Sequence, residues 1–340
     1  MAIAFLNISA YRFVGKNGAI MLDASRHAWR GSELASEAGR FDLPKEVAEE
    51  LIIAVKEHTL SGLPIVEAKV AEFELSETSH FISGVSAELK DGVGFALIDR
   101  LPLDLLGEKG AKTAYWILCS LIERPVAQNW VGDLVYDVTD TGRPPGNGVR
   151  PDKTNAEQNF HTDNSYNLCP PNYVSLLCLR AAKSGGISHI VSLEAAHEAL
   201  RHKRPDLLER LYRPFYFDRQ REHASDDVMT TYHPLFAVEK DRLLARLSRF
   251  QVTNGHKLAG TTIDALGVEA LDALEAQMNA PGMDVSFTFE PGQVQILDNR
   301  RIGHRRTGFE DWGKPNLKRL LVRLWLRDWG TRDYHGGLDF

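Results

Sequence analysis

The segment LKRLLVRLWLR, residues 317–327, predicts the strand around which the rest of the fold is arranged. Successive side chains on a strand point to opposite faces. One face would carry four apolar residues that must be buried: Leu320, Val322, Leu324 and Leu326. The other face would carry Arg319, Leu321, Arg323 and Trp325. Arginines mixed with leucine and tryptophan predict an enclosed site for anions, because a buried guanidinium needs a carboxylate partner. A solvent face with surface ion pairs is the alternative.

Upstream of this strand, the chain changes from predicted helices to predicted strands. An amphipathic helix is predicted at residues 45–58, with Asp42 as N-cap and Pro44 in the first turn, and a second helix is predicted at 107–122. Strand-like composition marks residues 173–182, 187–192, 242–253, 284–290 and 294–299. A run of strands after helices favours an α+β fold with an antiparallel sheet assembly and flanking helices over an alternating βαβ sheet.

Composition narrows the function classes. The 340 residues carry 40 basic and 46 acidic side chains, a net charge of −6, which argues against a dedicated nucleic-acid binder. The three cysteines form no C-x-x-C pair, so neither a disulfide scaffold nor a thiolate zinc site is expected. Residues 1–13 lack a basic leader pattern, and the chain has no long apolar run. We expect a cytoplasmic protein without membrane partners, of undetermined oligomeric state.

His161-Thr162-Asp163 is the only H-x-[D/E] triplet in the chain. Residues i and i+2 of a strand share a face, so the imidazole and the carboxylate could bind one metal ion side by side. The triplet lies in the polar and aromatic octet NFHTDNSY, residues 159–166. Taken alone, the commoner interpretation of such a triplet is a surface histidine beside an aspartate in a turn.

His304 supplies a candidate third ligand. It follows the predicted strand 294–299 within the sequence ILDNRRIGHRR. Two histidines and one carboxylate form the facial triad that binds Fe(II) and leaves positions open for substrate and O₂. In isolation, a loop histidine among arginines is the commoner interpretation of His304.

Taken in order, these elements resemble a known family. H-x-D, a glycine pair followed by a hydroxyl residue, a distal histidine and R-x-x-x-R are similar to the taurine dioxygenase and clavaminate synthase-like Fe(II)/2-oxoglutarate-dependent oxygenases, over about residues 90–327. The resemblance implies a double-stranded β-helix (jelly roll) core. It also implies a single catalytic domain over 1–340, with a helix-rich N-terminal segment, residues 1–90, packed on the core, residues 90–327.

The resemblance also implies roles for individual residues. His161, Asp163 and His304 match the iron ligands, and O₂ and 2-oxoglutarate are the implied cosubstrates. Arg319, fifteen positions after His304, matches the arginine that pairs with the distal carboxylate of 2-oxoglutarate. Ser188 stands where the family usually has a threonine contacting that carboxylate, and Arg323 matches a position that meets a substrate anion in some members.

The expected function is hydroxylation of a small carboxylate-bearing metabolite, such as an amino acid or a derivative. Two polar inserts, near 143–155 and 218–232, are candidate covers, and Asp226 or Asp227 could contact a cationic group of the substrate. Plain solvated charge is the commoner interpretation of each aspartate. The alternatives are a metal-dependent non-redox enzyme of the cupin type, an oxygenase acting on a protein substrate, and a non-catalytic binding module.

Overall fold

The computed structural model describes residues 28–144, 150–239 and 242–335. Residues 1–13, whose composition argued against a leader, lie outside the described residues, as does 145–149 within the first insert. Helices and strands are numbered separately along the chain.

The described residues form seven α-helices. They are α1 (Lys45–Ser61), α2 (Ser76–Asp91), α3 (Leu103–Ser120), α4 (Leu193–Lys203), α5 (Pro205–Leu211), α6 (Arg249–Leu258) and α7 (Ala265–Met278). The two predicted helices correspond to α1 and α3. The predicted cap of α1 is wrong, because Pro44 is the N-cap and no side chain caps the helix. Helices α4 to α7 also lie between strands, so the helices do not all precede the sheets.

Seventeen strands occur in the described residues. They are β1 (Arg40–Asp42), β2 (Phe95–Asp99), β3 (Pro125–Val126), β4 (Tyr136–Val138), β5 (Gln158–His161), β6 (Tyr173–Arg180), β7 (Ser184–Gly185), β8 (Ser188–Ser192), β9 (Phe215–Asp218), β10 (Thr230–His233), β11 (Phe236–Glu239), β12 (Arg242–Ala245), β13 (Asp284–Phe287), β14 (Val294–Asp298), β15 (Ile302–Arg306), β16 (Phe309–Glu310) and β17 (Leu320–Leu326).

Two sheets carry the framework of this mixed α/β fold. The larger has the order β1-β2-β14-β6-β17-β3, with β4 also paired to β17, and the smaller has the order β13-β8-β15-β5. Every neighbouring pair is antiparallel except β1 and β2. The predicted antiparallel assembly with flanking helices is therefore present.

The predicted alternation along β17 is confirmed. Its apolar face joins one hydrophobic core with residues of α1, α2 and α3, and that face consists of Leu320, Val322, Leu324 and Leu326. Arg319, Arg323 and Trp325 instead line a cavity on the opposite face. The helical layer thus covers one side of the larger sheet and leaves the other side to a functional site.

Two sequence predictions of local structure are wrong. Residues 242–253 are not one strand, since β12 ends at Ala245 and α6 begins at Arg249. The hydroxyl of Ser248 accepts the backbone N–H of Gln251 and so caps the new helix. His304 follows β14, as predicted, but the interpretation as a loop histidine is wrong because it lies inside β15.

Candidate metal centre and its cavity

The pairing of two strands brings the three predicted ligands together. β5 ends at His161, and the register of β15 places His304 directly opposite. Asp163 follows two residues after His161, and one ligand atom from each of the three residues lies within 4.8 Å of the others. The Nε2 atoms of His161 and His304 are each 3.5 Å from Oδ1 of Asp163. Two imidazoles and one carboxylate in this arrangement are the donor set of a facial Fe(II) site.

The other carboxylate oxygen of Asp163 is already engaged. Its Oδ2 accepts a hydrogen bond from the indole N–H of Trp325 at 2.7 Å and lies 3.1 Å from Nη1 of Arg323. The side chain of Asn299 accepts the backbone N–H of Asp163 at 2.8 Å and donates to its carbonyl at 3.0 Å. These contacts hold the aspartate so that Oδ1 faces the imidazoles.

The protonation states of the triad suit metal binding, which needs an ionised carboxylate and neutral imidazoles. Burial alone would raise the pKa of Asp163, but Arg323 and hydrogen bonds to the two histidines hold it well below its usual value. Burial and the neighbouring His161 lower the pKa of His304. Nδ1 of His161 donates to the carbonyl of Asn159 at 2.9 Å, which leaves the lone pair of Nε2 to bind a metal ion. The residues therefore fit the expected iron.

The triad lies in the wall of a cavity of about 480 Å³ that Ser188, Arg319 and Arg323 also line. Arg319 is 5% exposed, and its Nη1 has no hydrogen-bond partner. Burial lowers the pKa of Arg319 to about 10, so the guanidinium stays charged at neutral pH. The hydroxyl of Ser188 is buried and contacts Oε1 of Gln295 at 3.3 Å. The cavity therefore combines metal ligands with an unpaired cation.

Arg323 is more constrained than the sequence predicts. Its Nε donates to Oε1 of Gln128 at 2.8 Å, and Nη1 pairs with Asp163. Nη2 lies 3.8 Å from a carboxylate oxygen of Asp152 and has no hydrogen-bond partner. The guanidinium is therefore not wholly free, because the metal-site aspartate takes one of its donors. Only Nη2 remains for a further anion.

The two polar inserts meet at the cavity. Arg150 of the first insert forms an ion pair with Glu222 of the second at 2.6 Å. Asp152 and Gln220, one from each insert, line the cavity. Neither predicted aspartate of the second insert does so within the described residues. Asp227 instead pairs with Arg219 at 2.7 Å, so its expected contact with a substrate cation is not supported.

Sequence reasoning missed the residues that orient Asp163. Trp325 was placed on the arginine face of β17, but no pattern connected its indole with a residue 162 positions earlier. Asn299 was assigned only to a turn, although it joins the turn after β14 to the metal-site loop. The alternation along β17 was the signal that could have identified Trp325.

No helix within residues 28–144, 150–239 and 242–335 has both the length and the apolar character needed to cross a membrane.

Comparison with known proteins gives concordant matches. The family model "Taurine catabolism dioxygenase TauD, TfdA family" matches residues 59–325. FR-33289 synthase of Streptomyces rubellomurinus is 25% identical over 321 residues, which cover 92% of this chain and 93% of that protein. The structure of asparagine oxygenase with Fe(II), 2S,3S-3-hydroxyasparagine and succinate superposes with a TM-score of 0.66 at 18% identity, covering 87% of this chain and 94% of the other. The non-heme iron oxygenase OrfP, bound to Fe, succinate and (3S)-hydroxy-L-Arg, gives 0.63 at 15% identity, covering 84% and 94%.

Proposed function

Because this chain belongs to the taurine catabolism dioxygenase TauD/TfdA family, we propose that it hydroxylates a small carboxylate-bearing metabolite, such as an amino acid or a derivative. Membership makes the chain a dioxygenase that uses Fe(II), 2-oxoglutarate and O₂. The observation that carries the substrate proposal is the cavity of about 480 Å³ in which the triad, Arg319 and Arg323 meet. A cupin-type non-redox enzyme would have no cosubstrate for Arg319.

The two sheets are the proposed double-stranded β-helix of this enzyme. The metal ligands come from the smaller sheet and the loop after β5. Arg323 lies in β17 of the larger sheet, and Arg319 directly precedes that strand. A site assembled between two sheets supports the jelly-roll interpretation. In the proposed organisation, 1–340 is one catalytic domain in which residues 1–90 pack on the core, residues 90–327.

Each functional side chain has a proposed task. His161, Asp163 and His304 would hold Fe(II), and Arg319 with Ser188 would bind the distal carboxylate of 2-oxoglutarate. Iron with this cosubstrate and O₂ supplies the oxidation, which yields succinate, CO₂ and a hydroxylated C–H bond. The protein provides orientation and a cavity shielded from water. Trp325 and Arg323 hold Oδ2 of Asp163, which leaves Oδ1 facing the imidazoles.

The proposed substrate class rests on an unused hydrogen-bond donor in the cavity. Nη2 of Arg323 is buried and has no hydrogen-bond partner. A buried donor without a partner costs about 1–3 kcal/mol, which a substrate carboxylate would recover. Two structural relatives hold hydroxylated amino acids, hydroxyasparagine in asparagine oxygenase and hydroxyarginine in OrfP. Both observations support a free amino acid or a related acid as substrate. The cytoplasmic location stays a prediction.

A panel of free amino acids and their methyl esters tests the proposal. Iron-saturated protein is incubated with 2-oxoglutarate and each compound, and succinate release above the uncoupled background is measured. Acids should stimulate release and esters should not, and Arg323→Gln should reduce the difference. Because Arg323 also contacts Asp163, Fe(II) occupancy is measured in both proteins. Equal stimulation by acids and esters would contradict a carboxylate substrate.

A further inference from the structure

Two buried guanidiniums that line the cavity lie against the same aromatic ring. The Cζ atom of Arg306 is 4.7 Å from the centroid of the Phe309 ring, and that of Arg319 is 5.0 Å from it. The two arginines are 6% and 5% exposed, respectively, and both line the cavity. Arg319 was expected from the sequence to bind an anion, whereas Arg306 was assigned no role.

Neither guanidinium has a carboxylate partner within ion-pair distance among the residues that the structure describes. Asp311 is near both but forms no ion pair with either: its Oδ1 accepts the backbone N–H of Arg319 at 2.7 Å, and its Oδ2 is buried without a hydrogen-bond partner. Nη2 of Arg306 donates to the carbonyls of Thr154, at 3.1 Å, and Ala156. Nε of Arg306 and Nη1 of Arg319 are buried without any hydrogen-bond partner. Two adjacent buried cations with unused donors require an anion.

Strand register places Arg306 at the expected cosubstrate position. It lies two residues beyond His304 on β15, so the two side chains share a face about 7 Å apart along the strand. On the neighbouring strand β8, Ser188 is directly opposite Arg306. The hydroxyl expected to contact the distal carboxylate and the guanidinium of Arg306 therefore border the same space.

We propose that Arg306 and Arg319, both packed against Phe309, together form a two-guanidinium seat for the distal carboxylate of 2-oxoglutarate, with Ser188 at its edge. This inference rests on the proposed function and adds a cosubstrate-binding residue to it. Because Arg306 also bonds the carbonyls of Thr154 and Ala156, the seat is tied to the segment that leads into β5. A 2-oxo acid without a distal carboxylate would leave both cations unpaired.

The test uses glutarate, which has the two carboxylates but no 2-oxo group for metal chelation. Its affinity for the metal-free full-length protein is measured by calorimetry. Arg306→Gln and Arg319→Gln should each weaken glutarate binding about 10- to 100-fold, as expected for the loss of a hydrogen bond to a charged group. Arg213→Gln is the control. This exposed arginine pairs with Glu209 at 2.8 Å and does not line the cavity.

A second measurement separates binding from a structural role. With Mn(II) in place of iron, Arg306→Gln should weaken 2-oxoglutarate binding but leave 2-oxobutyrate, which lacks the distal carboxylate, unchanged. If Arg306→Gln fails to fold, Arg306→Lys is used, and it should also lose affinity because an ammonium cannot replace the planar fork. Wild-type affinity for glutarate in a folded Arg306 variant would overturn the seat.

The failure of this inference and that of the proposed function can be told apart. Wild-type protein that releases succinate from 2-oxoglutarate, but whose Arg306 variant binds glutarate normally, refutes only the seat. Equal losses for 2-oxoglutarate and 2-oxobutyrate would make Arg306 a purely structural residue and also refute the seat. An iron-loaded wild-type protein that produces no succinate with any candidate acid would refute the function.

Discussion

The two oxygens of the Asp163 carboxylate have different neighbours. Oδ1 is 3.5 Å from an Nε2 atom of each histidine, whereas Oδ2 is held by the indole of Trp325 and by Arg323. One oxygen is thus presented to a metal while the other is fixed by donors. Hydrogen bonds of this kind to a ligand set its orientation and its affinity for metal. The H-x-D spacing predicted the ligands but not this support, which comes from a strand distant in sequence.

Removing the indole donor should weaken metal binding. Trp325→Phe keeps most of the buried volume but removes the hydrogen bond to Oδ2, so we expect Fe(II) affinity to fall about 10- to 100-fold. Anaerobic Fe(II) titration measures the effect. Trp329→Phe is the matched control, because that indole donates to Asn172 instead. Identical affinities in Trp325→Phe and wild-type protein would show that the hydrogen bond does not orient the ligand.

The cosubstrate pocket predicts unequal effects for two substitutions. Arg319→Leu removes a buried guanidinium and should raise the 2-oxoglutarate concentration required for activity by orders of magnitude. Ser188→Ala removes one neutral hydrogen bond to a charged group, worth about 1.5–3 kcal/mol at most, so its effect should be clearly smaller. Succinate release as a function of 2-oxoglutarate concentration measures both. Equal effects, or an effect of Ser188→Ala alone, would place the cosubstrate elsewhere.

Among the secondary-structure elements, α6 and β9 approach each other closely at a glycine. A Cβ atom on Gly255 of α6 would lie 2.4 Å from the carbonyl oxygen of Tyr216 and 2.6 Å from the carbonyl carbon of Phe217. Displacing the backbone of a packed strand to make room for the added carbon would cost stability. On α2, a Cβ on Gly84 would have no atom within 4 Å. The close packing of α6 on β9 therefore requires a glycine at position 255, whereas the packing of α2 does not require one at position 84.

Alanine substitutions at the two glycines should change stability in opposite directions. Gly255→Ala should lower the free energy of unfolding by about 1–3 kcal/mol, because the added carbon forces α6 away from β9. Gly84→Ala should raise it by up to about 1 kcal/mol, because alanine favours a helix and fits without strain. Urea denaturation measures both. A stabilising Gly255→Ala would show that α6 is not tightly packed on β9.

The wrong prediction at residues 242–253 has a physical explanation at this scale. The segment RLLARLSRFQVT ends in three residues that favour strands, Phe250, Val252 and Thr253, but it is its first third that forms β12. Ser248 then caps α6, and Val252 becomes a fully buried residue of that helix. Tertiary packing decided the structure of the second half against its local preference. The same helix start brings Arg249 and Gln251 to the cavity, which strand alternation could not predict.

For the molecule as a whole, the features that could be predicted are those that depend on the alternation of side chains along a strand and on the order of motifs in the sequence. The buried face of β17 and the convergence of His161, Asp163 and His304 both follow from such patterns. The partners of Arg323 could not be predicted from such patterns, because Gln128 and Asp163 come from two other segments. Contacts between distant segments decide which charges are paired, and no local pattern carries that information.

One partly buried carboxyl contributes a pH-dependent term to the stability of the whole molecule. Burial raises the pKa of Glu123 to about 7, although Asn172 donates to it at 2.9 Å. Below a pH of about 4.5 the folded and unfolded chains both hold this proton. As the pH rises toward about 7, only the unfolded chain releases it, so this group destabilises the fold progressively. Above that pH the contribution is constant.

Glu123→Gln should therefore stabilise the protein most in neutral and alkaline solution. The gain in unfolding free energy should grow between about pH 4.5 and pH 7 to at most about 3 kcal/mol. Denaturation at several pH values measures it. Glu57→Gln, at an exposed site on α1, controls for removing one negative charge. A gain that does not depend on pH would contradict the partly buried, protonated carboxyl.

The central claim is that His161, Asp163 and His304 hold an iron ion that 2-oxoglutarate chelates inside this cavity. The most direct measurement is the visible spectrum of Fe(II)-loaded protein on anaerobic addition of 2-oxoglutarate. We expect a weak charge-transfer band to appear in wild-type protein and to be lost in folded His304→Ala. No band in wild-type protein with one bound equivalent of iron, or an unchanged band in His304→Ala, would contradict the claim.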